Sequence, residues 1–131
     1  MGVTLLLDTH VLLWLLTAPE RVPESVRALL ADRANPLLVS AASALEIGTK
    51  IRIGKLAAPT LPSTLPRRIN DLGATSLAIT VEHALLAGSL RWDHRDPFDR
   101  ILVAQATIED ATLVTVDSAL IDLPFPCMLS W

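Results

Sequence analysis

The sequence predicts an α/β domain in which a parallel sheet is covered by helices on both faces. Three observations carry this. Short runs bounded by turn or capping residues occur at Val3 to Leu7, Leu37 to Val39, Ser76 to Ile79 and Thr112 to Val116. Helix-signalled stretches alternate with them, the order expected of parallel strands joined by crossovers. The first two runs are apolar without alternation, as in strands buried on both sides.

Size and composition fit this class. A chain of 131 residues, 51% hydrophobic and 19% charged, is long enough for one core and too apolar for disorder, so residues 1–131 read as a single domain. The net charge of -3 argues against a generally basic nucleic-acid binder but leaves room for a local basic patch. Cys127 is the lone cysteine, and no cysteine and histidine group has zinc spacing, which fits a reducing compartment and a cytoplasmic location. The N-terminal apolar run lacks a basic leader and is broken by Asp8 and His10. No run approaches eighteen apolar residues, so no membrane span is expected.

In chain order, Val3 to Leu7 reads as the first strand and Thr9 to Leu16 as a helix stopped by Ala18-Pro19. A second helix is expected from Pro23 to Arg33, with proline in its first turn and Val26, Leu29, Leu30 and Ala34 on one stripe. Asn35-Pro36 turns the chain into a strand at Leu37 to Val39. Ser40 or Ser43 then caps a helix that carries Glu46 and Lys50 and ends near Gly54. Three prolines between Ala57 and Pro66 suggest a loop or helix entry, leading to a helix from Leu65 to Leu72 that Gly73 ends. Next come a strand at Ser76 to Ile79, a helix at Val81 to Gly88 and a polar loop, Asp93-His94-Arg95-Asp96. Asp96-Pro97 starts the most clearly patterned helix, to about Glu109. The strand at Thr112 to Val116 leads to Asp117, and Pro124 and Pro126 confine the C-terminal residues to an edge strand or a loose tail.

Four acids then draw together. Asp8 and Asp117 each follow a strand, at the sheet edge where ligands of open α/β sheets bind. Asp99 shares its helix face with Leu102, Val103 and Ala106, the face that packs on the sheet. Glu46 lies in an otherwise apolar helical segment, Ala41 to Gly48. Each residue also has a plain structural reading. Asp8 and Asp117 suit helix caps, Asp96 is assigned to capping, Asp99 suits the helix dipole, and Glu46 can pair with Lys50. Those readings leave the convergence unexplained. Two like charges about 5 Å apart repel by roughly 3 kcal/mol at an effective dielectric near 20. A cluster of oxygen ligands therefore calls for a hard cation, Mg²⁺ or Mn²⁺, and phosphodiester hydrolysis is the natural chemistry. Thr9 and Thr115 offer hydroxyls beside Asp8 and Asp117, while His10 is placed on the first helix's packing face.

Four segments in this order resemble the motifs of a PIN domain. They are Leu5-Leu6-Leu7-Asp8-Thr9, Ser43-Ala44-Leu45-Glu46, Asp96-Pro97-Phe98-Asp99-Arg100 continuing to Ala106, and Leu113-Val114-Thr115-Val116-Asp117. The Asp-Pro-Phe-Asp-Arg segment is similar to that of the VapC toxins of toxin–antitoxin pairs. The resemblance implies a three-layer α/β/α sandwich around a mainly parallel sheet of four or five strands. It also implies an Mg²⁺- or Mn²⁺-dependent endoribonuclease acting on RNA, a homodimer, a cognate antitoxin and a larger assembly of the two. The acids carried over, as catalytic residues and metal ligands, are Asp8, Glu46, Asp99 and Asp117, with Thr115 as a supporting catalytic hydroxyl.

Lys50, Arg52 and Lys55, together with Arg91, Arg95 and Arg100, suggest a basic rim for phosphates, with Arg100 favoured. A solvated surface explains the same charges. Trp14, Trp92 and Trp131 could stack on bases or simply pack. An apolar stripe on the helix from Pro23 or that from Leu65 would suit a homodimer seam. Two other function classes stand beside the nuclease. One is a catalytically silent partner-binding module in which the acids are caps and ion pairs. The other is a phosphatase or phosphoacceptor domain with Asp8 as nucleophile, but Asp8-Thr9-His10 lacks the second aspartate two positions on.

Overall fold

The computed structural model describes residues 2–131. Five strands, β1 (Leu5–Leu7), β2 (Leu37–Ser40), β3 (Thr75–Leu77), β4 (Thr112–Val114) and β5 (Met128–Leu129), form one sheet in the order β3-β2-β1-β4-β5. Every pairing is parallel. Seven helices connect them: α1 (Thr9–Thr17), α2 (Glu24–Ala31), α3 (Ala41–Arg52), α4 (Leu61–Asp71), α5 (Val81–Ser89), α6 (Pro97–Ile108) and α7 (Ser118–Ile121), with a 3-10 turn at Pro19–Arg21. The expected three-layer sandwich is therefore present.

Strand β1 shows why there are three layers. Leu5 and Leu7 point into a core with Val11, Leu12, Val26, Val39, Ile47 and Leu65. Leu6, pointing the other way, joins Leu102, Val103, Ala106, Leu113 and Leu120. Polar ties hold the layers in place. Ser40 accepts from the Ala42 amide at 3.0 Å and so caps α3. Thr80 and His83 form a reciprocal capping box at the start of α5, and His83 Nε2 lies 3.0 Å from Glu109 at the far end of α6.

Some boundaries differ from expectation. Helix α4 begins at Leu61 rather than Leu65, inside the stretch read as a loop or helix entry. Pro62 falls in the first turn, where the missing N–H costs nothing, and Leu61, Leu65 and Ile69 are buried together against the core. Pro66, one turn further in, is carried by that burial. Helix α2 is shorter than expected, because Asp32 already leaves helical geometry. Leu29 is exposed, off the stripe assigned to it. The third strand starts one residue earlier, at Thr75, and the fourth stops at Val114. The tail after Pro126 forms an edge strand, β5, on β4.

Strand order reverses at β1, since the chain moves outward through β2 and β3 and then returns to β4 on the other side. The crevice beyond the carboxyl ends of β1 and β4 is thus the position where a doubly wound sheet binds ligands.

Candidate active site

Register places the first two site residues. Leu7 is opposite Val114, so the next residues outward, Asp8 and Thr115, face each other as the two strands end. The Asp8 amide donates to the Val114 carbonyl at 2.9 Å. Although Asp8 occupies the N-cap position of α1, its side chain makes no capping hydrogen bond. It accepts instead from the Thr115 hydroxyl at 2.7 Å, and the same Thr115 oxygen accepts from the Asp117 amide at 3.1 Å. Burial raises the Asp8 pKa. The Thr115 hydroxyl and the Thr9 amide oppose that rise, and the negative charges of Glu46 and Asp117 add to it.

Helices α3 and α6 bring the other acids to this edge. A cleft of about 460 Å³ is lined by Asp8, Glu46, Asp96, Asp99 and Asp117, with Lys50 and Lys55 among the other lining residues. Asp8, Glu46 and Asp99 are 6%, 6% and 8% exposed, and Thr115 is fully buried. Asp99 has its pKa pushed up to about 6, first by burial and then by the charges of Asp96 and Asp8, against a hydrogen bond from His94. Asp8 thus feels the charges of Glu46 and Asp117, and Asp99 that of Asp8, while all four acids line the one cleft.

Some of the plain structural readings hold, and other expectations need correction. Asp117 is a helix cap, its Oδ1 accepting from the Ala119 amide at 2.9 Å, and it is only partly buried. Lys50 does pair with Glu46, Nζ to Oε2 at 2.7 Å. Thr9 does not reach the acids, because its hydroxyl donates to Ser43 Oγ at 2.8 Å. His10 is exposed at the cleft rather than packed beneath α1, with its ring edge-on to Trp14 at 4.8 Å. Arg100 is not part of a basic rim. Its guanidinium donates to the carbonyls of Ala87, Leu90, Trp92 and His94, leaving little of it for a phosphate. Lys50 and Lys55 are the basic residues that line the cleft. Asp96 caps α6 as assigned, accepting from the Phe98 amide at 2.9 Å.

One site residue escaped sequence reasoning. His94 Nε2 lies 2.6 Å from Asp99 Oδ2, and His94, Asp96 and Asp99 form the one group of three candidate ligand atoms within 4.8 Å of one another among the described residues. A histidine five positions before a buried aspartate, in a polar loop leading into its helix, was the available signal.

Whether the acids suit a cation can be judged from Glu46. Its Oε2 meets Lys50, but its Oε1 is buried without any partner. A buried carboxylate oxygen left bare is costly. Together with an all-oxygen set from Asp8, Glu46, Asp99 and Asp117, it fits a hard divalent ion.

No curated protein matches the chain in sequence. Its fold is similar to chains in three solved complexes. One is VapBC2 from Rickettsia felis bound to a DNA fragment from its promoter (TM-score 0.72, 18% identity, covering 98% of each chain). The second is DNA-bound VapBC from Salmonella typhimurium (TM-score 0.71, 18% identity, covering 98% of each chain). The third is a toxin–antitoxin complex from Klebsiella pneumoniae (TM-score 0.66, 19% identity, covering 96% of each chain). No helix among the described residues is long and apolar enough to cross a membrane. The PIN domain family matches residues 5–126, nearly the whole sheet and every acid of the cleft, and the chain belongs to that family.

Proposed function

We propose that this protein is a metal-dependent endoribonuclease, the toxin of a VapC-type toxin–antitoxin pair. The observation that carries the reading is the cleft itself, where Asp8, Glu46 and Asp99 are buried together and Glu46 Oε1 has no partner. PIN domains are a nuclease family, and the solved complexes that share this fold include toxin–antitoxin assemblies.

Asp8, Glu46, Asp99 and Asp117 would hold Mg²⁺ or Mn²⁺, which when bound supplies Lewis acidity toward a phosphoryl oxygen and makes its water a better nucleophile. The Thr115 hydroxyl, with the Thr9 amide beside it, fixes the Asp8 carboxylate at the edge of the cleft. Lys50 and Lys55 supply positive charge at the cleft wall, where the phosphate of an RNA strand would lie. The cognate antitoxin, a homodimer and a larger assembly of the two belong to the same reading.

A second reading also has support. Lys50 pairs with Glu46 and His94 is hydrogen-bonded to Asp99, so two of the acids already have partners within the chain, as they would in a catalytically silent partner-binding module. Expression of the wild type beside Asp99→Asn, with mapping of cellular RNA ends, separates the two. The nuclease predicts growth arrest and new RNA ends with the wild type alone. Identical RNA ends in both cultures would leave the binding module.

A further inference from the structure

We propose that His94 is a positioning residue that fixes the Asp99 carboxylate for a divalent ion, and that Arg100 and Trp92 are there to present it. The proposal rests on the reading of the cleft as a metal site. Its basis is the way the loop before α6 is held.

Three independent contacts fix His94. Its Nε2 reaches Asp99 Oδ2 at 2.6 Å. Its ring stacks on Trp92, with centroids 4.6 Å apart and planes 19° from parallel. Its carbonyl accepts from Arg100 Nη1 at 3.0 Å, and the same nitrogen donates to the Trp92 carbonyl at 2.7 Å. Arg100 Nε and Nη2 hold Ala87 and Leu90, each at 2.8 Å, so one guanidinium ties the end of α5 to the whole loop. Arg100 follows Asp99 directly in α6. The same helical turn therefore carries the carboxylate and the anchor of the loop that supplies its imidazole.

The hydrogen bond assigns the role. A carboxylate oxygen only accepts, so Nε2 is the donor and its lone pair is not free to bind a metal. Oδ2 is thereby committed to His94, and Oδ1 is the oxygen left for a cation. Hydrogen-bond partners of ligating carboxylates orient them and tune metal affinity, and their loss costs about 10–100-fold. An imidazole stacked on an indole and anchored by a four-carbonyl clasp loses little further freedom in making that bond.

The test uses two substitutions that separate the ring from the donor. His94→Phe keeps a ring for Trp92 but cannot donate, whereas the amide of His94→Gln donates without a ring. Mn²⁺ binding to the purified full chain is followed through the electron paramagnetic resonance of the free ion, with metal-free melting curves to verify folding. Expected is Mn²⁺ affinity about 10–100-fold weaker in His94→Phe and recovered to within about threefold of wild type in His94→Gln. Equal affinity in His94→Phe and wild type overturns the positioning role, and so does His94→Gln as weak as His94→Phe. If the wild type itself leaves Mn²⁺ free at millimolar concentration, the metal reading falls, and this proposal falls with it.

Discussion

Thr115 and Asp8, 107 positions apart in sequence, are joined by a 2.7 Å hydrogen bond in the buried seam between the ends of β1 and β4. The threonine donates to the carboxylate and accepts from the Asp117 amide, so one hydroxyl sets the geometry of two acids. Replacing it with the nearly isosteric valine removes both bonds without opening a cavity. Thr115→Val is expected to destabilise the fold by about 1–3 kcal/mol, because a buried carboxylate oxygen and an amide lose their partner. RNA cleavage should fall about 10–100-fold. Urea unfolding and a cleavage assay on the same preparation test both expectations, and wild-type values in each would refute the assignment. Thr115→Ser, which keeps the hydroxyl, should stay close to wild type.

Asp99 makes stability depend on pH in a definite direction. Its pKa in the fold is about 6, against 3.8 ordinarily, with burial the first cause. The folded chain therefore holds this proton more tightly than the unfolded chain does. The contribution to stability is fully present below the ordinary value and is lost as pH rises through about 6. Asp99→Asn should accordingly raise the metal-free melting temperature at neutral pH and flatten the slope between about pH 4 and pH 7. Divalent metal acts in the opposite sense, since it needs the ionised carboxylate, so stabilisation by Mn²⁺ should grow through the same window. Thermal melts across that range, with and without Mn²⁺, decide the matter. A wild-type slope indistinguishable from that of Asp99→Asn would contradict it.

The frame of the site was legible in the sequence because it depends on strand register and helix periodicity. An apolar run ending at Asp8, a second run leading to Thr115 and Asp117, and an acid on the packing face of α6 are local patterns with one geometric outcome in a parallel sheet. Partner choices were less legible. Arg100 and Lys50 look equivalent as cations, yet one is spent on four carbonyls and the other lines the cleft. What separates them is the path of the loop from Leu90 to Asp96, which has no periodicity to reveal it. His94 was obscured for the same reason. Thr9 and His10 depend on the rotation of α1 about its axis, which the nearly uniform apolar run from Val11 to Leu16 leaves undetermined.

The two kinds of cation predict different salt behaviour. Loss of Lys55, which lines the cleft, should weaken RNA binding and lower the slope of log affinity against log salt by about one. Arg100→Lys should leave that slope alone. It should instead loosen the loop, since an ammonium cannot span four carbonyls, with a stability loss of about 2 kcal/mol and faster amide exchange from Leu90 to Arg95. Binding to a labelled RNA, measured with the Asp99→Asn background to prevent cleavage, gives the slopes. A reduced slope in Arg100→Lys would return Arg100 to the phosphate-binding surface.

Pro66 allows a prediction that owes nothing to the site. It lies exposed within α4, where its nitrogen cannot donate to the carbonyl of Pro62, one turn before. An interior proline costs a helix about 3 kcal/mol. Here the burial of Leu61, Leu65 and Ile69 on the opposite side supports the helix in spite of it. Alanine would restore the missing donor and remove the ring clash, while releasing the unfolded chain from a restraint worth about 0.4–1 kcal/mol. Pro66→Ala is therefore expected to raise stability by about 1–2 kcal/mol, the helical gain exceeding the entropy returned to the unfolded state. Activity should not change, because α4 contributes nothing to the cleft lining. Unfolding in urea measures the difference. A destabilised variant would mean that packing of the ring, which lines a groove together with Ala41 and Ala44, outweighs the hydrogen bond.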